Sequence, residues 1–320
     1  MHRLRTRRCT AVIAICLGLP LSCFSKAVLL LMQTQTTSQE NSIKLNVLVT
    51  DSQGSPVNDA RMEEFVILED GVPQTISYFS KDELPLNYCV VLDTSGSAKK
   101  TSDRMIDAAQ IMVRNNKPGD ETSLIEFKDQ PELSQGFTTN QEIILRRLDV
   151  LRGRSSRPTA VIDAIYLATQ YVSEYNPVDR LSRRVLIVIS DGNDCCSYYK
   201  LDELRNLLRK ESIQIFAIGY DINEVGKSAG KKKQQRAIDL LTQITKEAGG
   251  QVYFPQSTSE LQDVASRVLN TLRKQYVIGY VRSLESKKGS FHRVGASVSD
   301  APGRDKRVAI TRAGYIELKK

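Results

Sequence analysis

Tryptophan is absent from this 320-residue chain, histidine occurs twice, and aromatic residues make up 6%. So few rings argue against a site that stacks sugars or bases. A serine hydrolase needs a histidine to take the serine proton. His2 lies at the extreme N-terminus, and His292 stands beside Phe291 in a β-like tail, where an ordinary surface or packing role suits it. The six cysteines have no Cys/His spacing that would hold zinc. No G-x-x-x-x-G-K-[ST] run exists to cradle nucleotide phosphates. Asp93-Thr94-Ser95-Gly96 is not an aspartic-protease turn, because Ser95 stands where that turn needs glycine and Asp191-Gly192 does not repeat it. These absences argue against each of these chemistries, and no catalytic residue is expected.

The N-terminus has the pattern of an export signal. Arg3, Arg5, Arg7 and Arg8 precede an apolar stretch from Ala11 to Phe24, and Ser25-Lys26-Ala27 offers small residues for cleavage. Val28 to Met32 is apolar again, so an uncleaved anchor is the competing reading and the one route to membrane contact. The formal net charge of +8 owes much to this segment. Without its five cations, 40 of the 45 basic residues remain against 37 acidic ones, a net of +3. Nucleic acid is therefore not an expected partner. The one dense basic run, Gly226 to Arg236, reads as a solvated loop opening a helix. Beyond the signal, Cys89 falls on an apolar strand as a buried thiol. Cys195-Cys196 is either a vicinal disulfide or an exposed pair of thiols.

The organisation expected is a signal over 1–27, a linker over 28–41 that is polar from Gln33 onward, a small β module over 42–82, an α/β domain over 84–275 and a β segment over 276–320. In the β module, 43–49 alternates as a half-buried strand, and 65–71 with 74–79 reads as a hairpin. From Leu84 strands and helices interleave. Strands are predicted at 87–92, 122–127, 185–190, 213–218 and 251–254. Helices are predicted at 102–114, 141–151, 159–174, 201–210, 234–248 and 258–275. Continuous apolar runs such as Val185–Ile189 suit strands covered on both faces, so the fold class is a doubly wound, mostly parallel α/β sheet. Ligands bind such sheets beyond the carboxyl ends of the strands.

Two motifs fall at those ends. Val90-Val91-Leu92-Asp93-Thr94-Ser95-Gly96-Ser97 is an apolar strand running into D-x-S-x-S, and Val185 to Ser190 runs into Asp191-Gly192. Carboxylate and hydroxyl oxygens are hard ligands suited to Mg²⁺. A tight turn after Asp93 can aim Asp93, Ser95 and Ser97 at one point. Without a metal, the same Asp can cap the following helix while the hydroxyls satisfy backbone donors.

These motifs, with Arg157-Pro158-Thr159-Ala160 leading into a helix, resemble the metal-ion-dependent adhesion site of von Willebrand factor A domains. The wider chain is similar to the exported bacterial family related to that domain, with its Gln275-Tyr276…Gly279-Tyr280 and Gly314-Tyr315 ending. The resemblance implies that Ser95, Ser97 and Thr159 give hydroxyl oxygens to Mg²⁺, with Mn²⁺ or Ca²⁺ as alternatives. It implies that Asp93 and Asp191 act directly or through water. A cation held by few charged ligands attracts an Asp or Glu from a partner protein, so exported, cation-dependent adhesion or binding is the expected function. The alternative is a metal-independent scaffold or assembly subunit of an envelope complex. Arg157-Pro158 departs from the small residues usual before that Thr. Arg157, Tyr198 and Tyr199 are candidate partner contacts, since interfaces favour Arg and Tyr.

Overall fold

A run of eight buried residues, Leu86 to Asp93, forms the central strand of the main sheet. It can be buried along its whole length because both of its faces are covered. Leu86, Tyr88, Val90 and Leu92 pack into one core and Cys89 and Val91 into another, as the period of two requires. The structure is a computed structural model that describes residues 42–95, 99–153, 158–176, 182–220, 228–282, 289–299 and 306–317. For residues 99–102, 228–230 and 258 it describes the backbone alone. The signal and linker segments, Ser97 and Arg157 lie outside the described residues.

In chain order the elements are β1 (Ser42–Thr50), β2 (Phe65–Glu69), β3 (Val72–Gln74), β4 (Ile76–Ser80), β5 (Leu86–Asp93) and α1 (Lys99–Arg114). Then come β6 (Glu121–Phe127), β7 (Pro131–Thr138), α2 (Gln141–Val150), α3 (Val161–Glu174), β8 (Arg183–Ser190) and α4 (Leu201–Lys210). They continue with β9 (Gln214–Gly219), α5 (Ser228–Ala248), β10 (Val252–Tyr253) and α6 (Leu261–Arg273). The chain ends with β11 (Gln275–Val281), β12 (Phe291–Val298), β13 (Val308–Ile310) and β14 (Gly314–Ile316).

The main sheet has the order β10-β9-β8-β5-β6-β7 and is parallel except for β7, which runs antiparallel at one edge. Helices α1, α2 and α6 cover one face, and α3, α4 and α5 cover the other. The doubly wound α/β class expected from sequence is the one observed. β5 lies between β6 and β8, so the connections diverge to either side of it. That switch point is where a crevice opens above the strand ends.

The flanking segments form two further sheets, β13-β1-β11-β4 and β14-β12-β2-β3. They share a core of Leu45, Val47, Phe65, Ile67, Tyr276, Ile278, Tyr280 and Val294. The predicted 65–79 hairpin is real but short. Asp70 and Gly71, both at positive φ, turn β2 into β3, after which the chain leaves the sheet. Residues 76–80 pair with β11 in the other sheet instead. Inside this module, Glu69 accepts hydrogen bonds from Tyr280 Oη at 2.5 Å and Tyr315 Oη at 3.1 Å. Among the described residues, no helix is long and apolar enough to cross a membrane.

Candidate functional site

Adjacent parallel strands bring the two motifs together. The register pairs Leu92 of β5 with Ile189 of β8, so Asp93 and Ser190 end their strands side by side. Asp93 is completely buried. Its Oδ1 accepts from Ser95 N at 2.9 Å and from Ser95 Oγ at 2.5 Å, and its Oδ2 accepts from Ser190 Oγ at 2.8 Å. Thr94, between them, turns the other way and donates both its N–H and its hydroxyl to Phe127 O on β6. That alternation aims the Ser95 hydroxyl back over the strand end.

Thr159 arrives from a different element. Ala160 N donates to Lys128 O at 2.7 Å, fixing the chain ahead of α3, and Thr159 Oγ1 donates to Ser95 Oγ at 2.7 Å. Ser190 Oγ also accepts from Gly192 N at 3.0 Å, shaping the turn that carries Asp191. Gly192 has φ +71°, and a Cβ there would fall 3.0 Å from Ala237 O, so glycine permits both the turn and the close approach of α5. Of the five residues assigned to the metal from sequence, the structure connects Asp93, Ser95 and Thr159 by hydrogen bonds and carries Asp191 on the neighbouring strand end.

The electrostatics suit a cation. Burial, and then the negative charge of Asp191, push the Asp93 carboxyl up from 3.8 to about 6. Among the described residues, no cationic side chain pairs with either aspartate. The donor set is all oxygen, hard and partly neutral, which fits a hard divalent ion. Such an ion would relieve the repulsion between the two carboxylates.

The loop after Asp191 is stitched to the N-terminus of α3. Asp194 Oδ1 accepts from Ile162 N, and Ser197 Oγ accepts from Asp163 N, both at 3.2 Å. Asp163 in turn accepts from Tyr198 N and Tyr199 N, each at 2.8 Å. The bonds from Ile162 N and Asp163 N satisfy helix N–H groups that would otherwise lack partners. Tyr199 stacks on Tyr166 with ring centres 3.8 Å apart, whereas the Tyr198 side of the loop faces solvent, at 85% exposure.

Three features escaped sequence reasoning. Ser190 read as a strand residue, although its place before Asp191 on an adjacent strand makes it a partner of Asp93. The basic run is not a loop. α5 begins at Ser228, and Lys233 and Arg236 line a cavity of about 650 Å³ with Gly192, Asn193 and Asp194. The third is the thiol of Cys195, which accepts from Thr159 N at 3.2 Å. Away from this site, ligand atoms of Glu69, Asp70 and His292 lie within 4.8 Å of one another. His292 is buried rather than at the surface, with its Nδ1 2.8 Å from Asp70 Oδ2. Glu69 already serves two tyrosines, so that group reads as a structural network.

The von Willebrand factor type A domain family matches residues 88–193, which include Asp93, Ser95, Thr159 and Asp191. A search of curated proteins finds no match. Among solved structures, an aerotolerance-related membrane protein from Bacteroides fragilis, carrying multiple mutations to serines, is 16% identical, with a TM-score of 0.43 over 58% of this chain and 98% of that one. The conserved hypothetical protein BatB from Bacteroides thetaiotaomicron is 17% identical, with a TM-score of 0.42 over the same shares of the two chains. Proximal thread matrix protein 1 from the mussel byssus, with zinc in its adhesion-site motif, is 16% identical, with a TM-score of 0.47 over 60% of this chain and 48% of that one. The family match, with the fold class and the strand-end oxygens, places a von Willebrand factor type A domain at residues 88–193 of this chain.

Proposed function

We propose that the protein binds other proteins through a divalent cation held by Asp93, Ser95, Thr159 and Asp191, with Ser97 as the further expected ligand. Mg²⁺ is the ion of choice, with Mn²⁺ or Ca²⁺ as alternatives. Bound there, the cation would supply uncancelled positive charge, which draws an Asp or Glu carboxylate from the partner. The observation that carries this reading is a fully buried carboxyl, raised to about 6, facing a second carboxylate and ringed by hydroxyls. The arginine-rich start and apolar Ala11–Phe24 segment support an exported protein.

One observation favours the metal-independent scaffold. The oxygens also form a closed hydrogen-bonded network, Thr159 to Ser95 to Asp93 and Ser190 to Asp93, which needs no ion to be satisfied. The two readings separate in a capture experiment with the immobilised protein, run in Mg²⁺ and in EDTA beside Asp93→Ala. Cation-dependent binding predicts a partner retained only by the native protein in Mg²⁺. A partner held equally in EDTA and by Asp93→Ala would establish the scaffold.

A further inference from the structure

Cys195 and Cys196 follow Asp191 at the metal face as exposed free thiols. Cys195 makes three bonds to a single residue. Its N–H donates to Thr159 O at 3.0 Å, its Sγ accepts from Thr159 N at 3.2 Å, and its S–H donates to Thr159 O at 3.4 Å. Thr159 is buried, and its hydroxyl is the one that meets Ser95. An exposed thiol therefore anchors the backbone that presents a candidate metal ligand. The anchor needs the reduced sulfur, because only a thiol both donates and accepts. Cys196 is the next residue in the chain and is likewise exposed, so its thiol lies on the same turn.

We propose that Cys195 and Cys196 form an oxidation site that closes to an internal disulfide and loosens the Thr159 loop. The oxidant is a disulfide, small or protein-borne. One cysteine thiolate attacks it, forming a mixed disulfide and releasing one thiol. The second cysteine thiolate then displaces the other thiol, closing the Cys195–Cys196 bond. Two protein thiols are oxidised, one incoming disulfide is reduced to two thiols, and the two protons pass to those products. Cys195 Sγ loses its hydrogen and turns towards Cys196, so its bond to Thr159 O is lost and its bond from Thr159 N weakens. The Cys195 N–H bond to Thr159 O remains, so the loop is loosened at the sulfur contacts and Thr159 Oγ1 is held less firmly against Ser95. Cys89 does not compete, since it is fully buried and out of reach of a disulfide oxidant, whereas Cys195 and Cys196 are exposed.

The effect on metal rests on the cation-binding reading above; the effect on the loop does not. The purified full chain is reduced, then incubated with oxidised glutathione and digested with trypsin. Cleavage after Arg184 and Lys200 isolates both cysteines in one peptide with no others. The expected result is a peptide lighter by two hydrogens and a Mg²⁺ affinity at least about tenfold lower, as for loss of a partner that orients a metal ligand. Dithiothreitol restores both, and Cys196→Ser forms no internal disulfide while its reduced form keeps the native affinity. Thiols that stay free, a peptide that retains glutathione, or a closed disulfide with unchanged affinity would overturn the proposal. If the reduced protein binds no Mg²⁺, the cation-binding reading alone fails. Hydrogen exchange at the Thr159 amide then decides: faster exchange after oxidation supports the loosened loop, and unchanged exchange refutes it.

Discussion

Replacing Asp93 by Asn should stabilise the metal-free protein near neutral pH. The Asp93 carboxyl is raised from 3.8 to about 6, chiefly by burial and next by the charge of Asp191. A raised carboxyl favours the native state while it is protonated, so the stability it confers is complete below about pH 4. That stability is lost as pH rises through 6. At 1.36 kcal/mol per pH unit, the loss by pH 7.5 amounts to about 3 kcal/mol. For a domain of this size that is roughly 6–12 °C in Tm. Asn keeps the shape and can still bond Ser95 and Ser190, but it carries no charge. Urea or thermal unfolding in EDTA at pH 4.5, 6.0 and 7.5 should show the native protein weakening along this series and Asp93→Asn holding level. In millimolar Mg²⁺ the order reverses at pH 7.5, because only the aspartate gains from the ion. Mg²⁺ affinity should itself fall below pH 6, where the proton competes. A variant destabilised equally at all three pH values, with or without Mg²⁺, would refute the argument.

Other expectations follow from the same contacts. Tyr198→Ala should leave stability within about 0.5 kcal/mol, its side chain being 85% exposed, yet weaken partner capture; Tyr199→Ala, which loses its stack on Tyr166, should lower stability measurably in urea titration. Glu69→Ala should cost about 3–5 kcal/mol in chemical denaturation, because it strands the Tyr280 and Tyr315 hydroxyls beside the buried Arg282. Gly250→Ala would put a Cβ 2.0 Å from Ile215 O, a backbone atom, so a loss of about 3 kcal/mol or failure to fold should appear in thermal scans.

The parts legible in the sequence are those where one strand or helix carries its own signal. β5 and β8 are apolar on both faces, and their terminal aspartates mark the edge where the site lies. β7 gave no such signal. Pro131-Glu132-Leu133-Ser134-Gln135-Gly136-Phe137-Thr138 has only an irregular apolar pattern, and it becomes a strand by pairing antiparallel with β6. The split of 65–79 between two sheets was hidden for a related reason, since alternation fixes a face but not a partner. α5 starts early because Lys231, Lys232 and Lys233 are good helix formers read as a solvated loop. Within the site, Asp93 and Ser95 share a turn and were visible together. The links from Ser190 to Asp93 and from Cys195 to Thr159 span 97 and 36 positions, and only the fold creates them.

The central claim is that the oxygens of Asp93, Ser95, Thr159 and Asp191 hold a divalent cation. Calorimetric titration of Mg²⁺ into the native protein and into Asp93→Ala, at pH 7.5, tests it most directly. The account predicts saturable binding to the native protein and none to the variant. A matching thermal shift should reach about 2.7 kcal/mol at a hundredfold excess over Kd. No heat of binding to the native protein at millimolar Mg²⁺, or equal binding by Asp93→Ala, would contradict it.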